Sequence, residues 1–162
     1  MTGQNTEPVI TFDGGSPEDR KALLEAVEDY WRANNHLDIP SLIPLWRDNP
    51  EYVFFNSNGF NYQGLKDWLG IWRYYGPRYR CAKEATFGRL RIMIRGDMAI
   101  ATDEGVNRLY EQIAETAGPP IAGHPVMRST MAFTKEDDGW KCVHAHFSPA
   151  SIEGERPWAP ED

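Results

Sequence analysis

The run Asp138-Gly139-Trp140-Lys141-Cys142-Val143-His144-Ala145-His146-Phe147-Ser148 decides how this chain is read. An Asp-Gly turn leads into an alternating strand that ends His-x-His-x-Ser. Simple alternation sets Trp140, Cys142, His144, His146 and Ser148 on one face, and Lys141, Val143, Ala145 and Phe147 on the other. Just upstream, 125–134 has the same strand character, so the two form a hairpin. Before it, 82–94 and 98–110 read as two long strands joined by a Gly96-Asp97 turn, with Ala117-Gly118-Pro119-Pro120 in a loop.

Upstream of the strands the spacing is helical. Ser16-Pro17-Glu18-Asp19 is a helix start: Ser caps, Pro stands in the first turn, and the acids lie near the positive end of the dipole. Leu23, Leu24, Val27, Tyr30, Trp31 and Asn34 follow on one stripe, and Asn34-Asn35 marks the end. Asp38 caps a shorter helix carrying Ile39, Leu42, Ile43, Leu45 and Trp46, which Pro44 kinks or shortens. Residues 51–55 read as a short strand and Asn56-Ser57-Asn58-Gly59 as a turn. A third helix runs from Gly64 to about Tyr75 and ends at Gly76-Pro77. Helices followed by antiparallel strands make an α+β plan. A strongly curved, mostly antiparallel sheet would wrap the long first helix and leave a pocket at its open end. Residues 1–15 are expected as a loose arm, 16–150 as the domain and 151–162 as a frayed tail.

The 162 residues suffice for one domain with a real core, and 41% hydrophobic with 25% charged residues is ordinary for a globular chain. A net charge of −7 argues against nucleic acid and anionic membranes as partners. No apolar run approaches the ~20 residues of a membrane span, and residues 1–16 lack the blocks of a signal peptide. Cys81 and Cys142 make neither a metal spacing nor a disulfide framework, so a cytoplasmic protein without metal or cofactor is expected. Six tryptophans suit an apolar pocket.

Several local signatures, in order, resemble the NTF2-like superfamily and its SnoaL-like branch. They are Trp31-Arg32-Ala33 followed by Leu37-Asp38 and Leu45-Trp46, then Tyr62-Gln63-Gly64-Leu65, then Gly96-Asp97-Met98-Ala99, and finally Asp138-Gly139-Trp140-Lys141 with Val143-His144-Ala145-His146-Phe147-Ser148. The last run is also similar to the association domain of calcium/calmodulin-dependent kinase II. The resemblance covers roughly 17–150. It implies a cone-shaped α+β domain with an internal pocket and a homodimer through the outer sheet face. It does not fix function, because this fold hosts isomerases, dehydratases, epoxide hydrolases, cyclases and assembly modules.

Matched with ketosteroid isomerase, Tyr30 lies eight residues before Asp38 and keeps the place of that family's oxyanion-stabilising Tyr. The place of its base falls at Phe54-Phe55, and that of its second acid at Ser129. The dehydratase-like acid–base pair falls on Asn34 or Asn35 and on a His-free segment at 78–81. The carboxylate-binding arginines of the kinase association domain fall at Val106, Met131 and Phe147, all apolar. What remains for proton transfer is Asp103 and Glu104, adjacent on a strand, of which only one points inward. An inward carboxylate among aromatics would serve as a base. The resemblance puts Val143, Ala145 and Phe147 on the pocket face and His144 and His146 outside with Trp140, Cys142 and Ser148. Arg89, Arg91 and Arg95, with Arg108 and Arg128 beside them, read as a solvated or interface ladder.

The expected pocket is therefore apolar and aromatic. Tyr30, Phe54 or Phe55, Trp68 or Trp72, Met127, Ser129, Met131, Val143 and Phe147 wall it, with Asn56 and Asn58 as orienting hydrogen-bond groups. Two functions fit. One is a protein that binds a small, mainly apolar organic ligand, acting as a cofactor-free isomerase, cyclase, dehydratase or epoxide hydrolase if Tyr30 donates and Asp103 or Glu104 accepts a proton. The other is a non-catalytic ligand-binding or oligomerisation module.

Overall fold

Helix α1 (Pro17–Asn35) is built as its sequence dictates. The Ser16 hydroxyl accepts the Asp19 amide at 3.1 Å, and Pro17 opens the first turn. The Asp19 carboxylate then reaches out of the helix. It accepts from Lys135 Nζ at 2.8 Å and Trp140 Nε1 at 3.3 Å, tying the start of α1 to the last hairpin. The Lys135 hydrogen bond, against the opposing cost of burial, holds its carboxyl below the usual range.

The computed structural model describes residues 7–115 and 126–150. The expected loop at 117–120, His124, the first residue of the 125–134 strand and the tail 151–162 lie outside them. After α1 come α2 (Ile39–Leu42) and a single 3-10 turn (Ile43–Leu45), where Pro44 forbids a longer helix. Strands β2 (Val53–Phe55) and β3 (Asn61–Gln63) form a small hairpin around Asn56-Ser57-Asn58-Gly59. The expected third helix is present as two short segments, α3 (Gly64–Trp68) and α4 (Gly70–Tyr75), meeting at Leu69.

The sheet has eight strands. Besides β2 and β3 these are β1 (Val9–Asp13), β4 (Tyr79–Thr86), β5 (Arg89–Arg95), β6 (Met98–Gln112), β7 (Val126–Glu136) and β8 (Gly139–Pro149). Their order is β1-β5-β6-β7-β8-β2-β3, with β4 pairing the second half of β6. All pairs are antiparallel except β1 with β5 and β2 with β8. Helix α1 touches β4, β5 and β8, although β6 and β7 separate the first two from the third. The sheet therefore curls around the helix without closing.

Three expectations are corrected. Residues 9–13 are a strand rather than part of a loose arm; Ile10 and Phe12 pack on the core, and the chain runs parallel to β5. The single strand over 82–94 is two strands, β4 and β5, parted at Phe87-Gly88. Trp140 and Cys142 are buried in the core rather than turned outward with the histidines. One extra residue, Val143, sits in β8 where Phe133 pairs Cys142 and the next residue, Ala132, pairs His144. This bulge lets Trp140 and Cys142 share the inner side with Ala145 and Phe147.

A second bulge lies in β6. Asp103 pairs Ser129 and Val106 pairs Met127, so three steps along β6 match two along β7. Asp103 anchors it. Its buried carboxylate accepts the amides of Gly105 at 2.9 Å, Arg89 at 3.2 Å and Gly88 at 3.2 and 3.3 Å. The two glycines touch: a Cβ on Gly88 would stand 2.8 Å from the Gly105 carbonyl oxygen. Bare backbone is what lets the strands bend here.

Asp103→Ala leaves these amides without their acceptor. It should cost about 3 kcal/mol, read as a lower denaturation midpoint. Retention of wild-type stability would contradict the anchoring role. Asp19→Asn tests the hairpin tie. A carboxyl with a lowered folded-state pKa stabilises above its unfolded value and loses that contribution as pH falls through the folded one. The melting temperature of wild type should exceed that of the variant at neutral pH, with the gap closing below about pH 4. A pH-independent gap would count against the tie.

Candidate functional site

At the C-terminal end of α1 a cavity of about 30 Å³ remains between α1, α4, β6 and Phe147. That is room for a water molecule, well below the roughly 300 Å³ of a typical ligand pocket. Rings fill the space around it. Phe147 stacks on Tyr30 at 5.5 Å between centroids and faces Trp68 at 6.1 Å, and Trp68 stacks on Phe54 at 5.1 Å. Trp46 meets Tyr30, Phe54 and Trp68 edge-on. Each arrangement suits the ring quadrupoles.

The polar wall is a short chain of hydrogen bonds centred on Asn34. Its Oδ1 accepts Trp72 Nε1 at 3.0 Å, its Nδ2 donates to Tyr110 Oη at 3.3 Å, and its main-chain oxygen accepts the Tyr110 hydroxyl at 2.5 Å. The same oxygen takes the amide of Leu37 at 3.1 Å, where the chain leaves the helix with φ +54°. A left-handed leucine costs about 1 kcal/mol, and it sits on the rim of the cavity. Three elements, α1, α4 and β6, are thus fixed through one buried amide.

Of the residues expected at the site, Tyr30, Asn56, Trp72 and Phe147 border this cavity. Phe54, Trp68, Met127, Met131 and Ser129 are buried beyond it, and Val143 lies half-buried in the β8 bulge. Phe55 is corrected: it is exposed on the outer side, its ring between His144 and His146 at 5.2 and 5.6 Å. Asn58 holds Tyr62 Oη at 2.7 Å and does not border the cavity. Neither Asp103 nor Glu104 does either. Asp103 is spent on the strand bend, and Glu104 is exposed.

Sequence reasoning missed the polar lining of the cavity, Asn34, Arg108 and Tyr110. Simple alternation from the exposed Met98 and Ile100 puts Arg108 outside; the β6 bulge turns Val106, Arg108 and Tyr110 inward. The guanidinium lies over the rings of Tyr110 at 5.0 Å and Trp31 at 5.7 Å. Burial pushes the Tyr110 phenol up to about 12, with Arg108 pulling the other way, and burial raises that of Tyr30 further. Both phenols stay protonated at neutral pH and act as donors, not bases. Among the described residues bordering the cavity there is no carboxylate and no imidazole. No group of three His, Cys, Asp or Glu residues among those described is arranged to hold a metal. Chemically, the site offers aromatic walls, neutral O–H and N–H donors and one cation.

The fold is similar to that of solved NTF2-like proteins. A proposed dehydratase from Streptomyces avermitilis superposes with a TM-score of 0.66 at 20% identity, over 85% of this chain and 100% of that one. A proposed calcium/calmodulin-dependent protein kinase type II association domain from Thiobacillus denitrificans gives 0.55 at 20% identity, over 90% and 100%. A proposed ketosteroid isomerase from Shewanella frigidimarina gives 0.56 at 19% identity, over 78% and 94%. At such identities the likeness is one of fold. No curated protein matches the chain. The SnoaL-like domain model matches residues 23–152, from within α1 through β8, and the chain therefore belongs to the SnoaL-like domain family.

Proposed function

We propose that this protein binds a small, mainly apolar organic molecule in the cavity at the end of α1. The observation that carries the reading is the meeting of Tyr30, Trp72 and Phe147 around a residual space that also holds hydrogen-bond donors. Core packing alone does not call for a charged side chain there. The small volume means that a ligand enters by displacing a ring. Phe147, which borders the cavity from β8, is the ring whose displacement would widen it.

Proton-transfer catalysis is the second reading. It is favoured by Tyr30, a buried donor at the position matched with ketosteroid isomerase, and by neighbours proposed as dehydratase and isomerase. It lacks a base among the described residues of the cavity wall, so binding is the reading the geometry supports best. The proposal includes a homodimer through the outer sheet face, where Met98, Ile100 and Phe55 are exposed. No described helix is long and apolar enough to cross a membrane.

Titration with toluene, followed by NMR, tests the binding reading. Shifts should concentrate at Tyr30, Trp72 and Phe147. Phe147→Leu, at a stability cost of about 1–2 kcal/mol, should bind more tightly because it opens the wall. Absence of shifts in both proteins at about millimolar probe would overturn it. Sedimentation should give a dimer, and Ile100→Glu a monomer; a wild-type monomer would remove the interface from the proposal.

A further inference from the structure

We propose that Arg108 receives an anionic oxygen group, so that the molecule bound in the cavity is a small organic acid in its anionic form. The inference rests on the cavity being a ligand site, and adds the chemical class of what it takes.

Arg108 is half-buried on the inner side of β6 and borders the cavity. Its guanidinium carbon stands over the rings of Tyr110 and Trp31, 5.0 and 5.7 Å from their centroids, a cation–π placement that still leaves N–H groups able to donate. Yet those donors have little to bind. Ion pairs among the described residues engage Lys21, Arg32, Arg47, Arg80, Arg95, Lys135 and Lys141, and none engages Arg108. Among the described residues its hydrogen bonds go to two neutral groups, the Met127 thioether at 3.6 Å and the Tyr110 phenol, and to no anion. A partly desolvated guanidinium without an anion is a costly arrangement in a chain with seven more negative than positive charges.

The neighbours point the same way. Trp31, which borders the cavity and is 3% exposed, has a buried indole N–H with no acceptor among the described residues. Tyr30 Oη has no hydrogen-bond partner among the described residues, and burial keeps it protonated. The Asn34 oxygens are already used: Oδ1 takes Trp72 and the main-chain oxygen takes Tyr110. No anionic acceptor stands among the described residues bordering the cavity. A carboxylate supplies two oxygens, accepts from a guanidinium in bidentate fashion, and leaves its carbon skeleton against the rings.

Benzoate and benzamide form the test, because they share a shape and differ in charge at neutral pH. Binding is measured by calorimetry and mapped by NMR in wild type, Arg108→Met and Arg108→Lys. Wild type should prefer benzoate by roughly tenfold, with shifts at Tyr30, Trp72 and Tyr110. Arg108→Met, which keeps the packing of the side-chain stem, should bind the two probes alike. Arg108→Lys should retain a smaller preference, and it covers the case in which the Met variant does not fold. Equal binding by wild type, a preference that survives in Arg108→Met, or benzoate mapping to the outer face at Arg89 and Arg91 would overturn the anion assignment while leaving the cavity reading intact. Binding of neither probe would overturn both.

Discussion

The structure hangs on one carboxylate. Asp103 collects three backbone amides at the point where β4 and β5 part, and Gly88 and Gly105 let the two backbones meet there. Without that anchor the second half of β6 would continue in the register of the first. Continued register would turn Val106, Arg108 and Tyr110 to solvent and bring Asn107 and Leu109 to the inner side. The core would lose a tyrosine that fixes the end of α1, and the cavity would lose its cation. A residue well placed to look like a catalytic acid is thus an architectural one, and what it builds is the wall of the candidate site.

The second constraint is the mass of rings inside the curl. Buried aromatics supply much of the apolar area that a chain of this size has available, each worth about 2–3 kcal/mol on burial. They also consume the volume in which a ligand would sit. The compromise is visible at Asn34: one amide holds Trp72, Tyr110 and the helix terminus, so the polar end of the cavity is rigid. Trp31, Trp46 and Trp68 keep their indole N–H groups buried and without acceptors among the described residues, a sign that packing was favoured over polar satisfaction.

Sequence reading went far where a local rule decides the outcome. The Ser16 cap and the Leu23–Trp31 stripe locate α1 to the residue, and the Asp-Gly and Gly-Asp turns locate the last two hairpins. Tyr30, Trp72 and Phe147, expected at the pocket from the family resemblance, do border the cavity; spacing and alternation alone left open which face of the last strand looks inward. Where the answer depends on a partner, the sequence is silent. Strand β1 is only five residues next to the polar start of the chain, and it is its pairing with β5 that makes Val9–Asp13 a strand; β3 carries no apolar alternation at all. The two bulges, at Val143 and beyond Asp103, each insert one residue. Alternation counted across them misplaces Trp140, Cys142 and Arg108 alike.

The burial of Cys142 has a consequence of a different kind. Its thiol is sealed in the core and Cys81 is half-buried on β4, and desolvation raises the pKa of both. Sulfur reacts as the thiolate, so at neutral pH neither is a ready nucleophile or an easy target of oxidants. The fold is therefore indifferent to the redox poise around it: no bridge has to form for it to assemble, and no exposed thiolate has to be kept reduced.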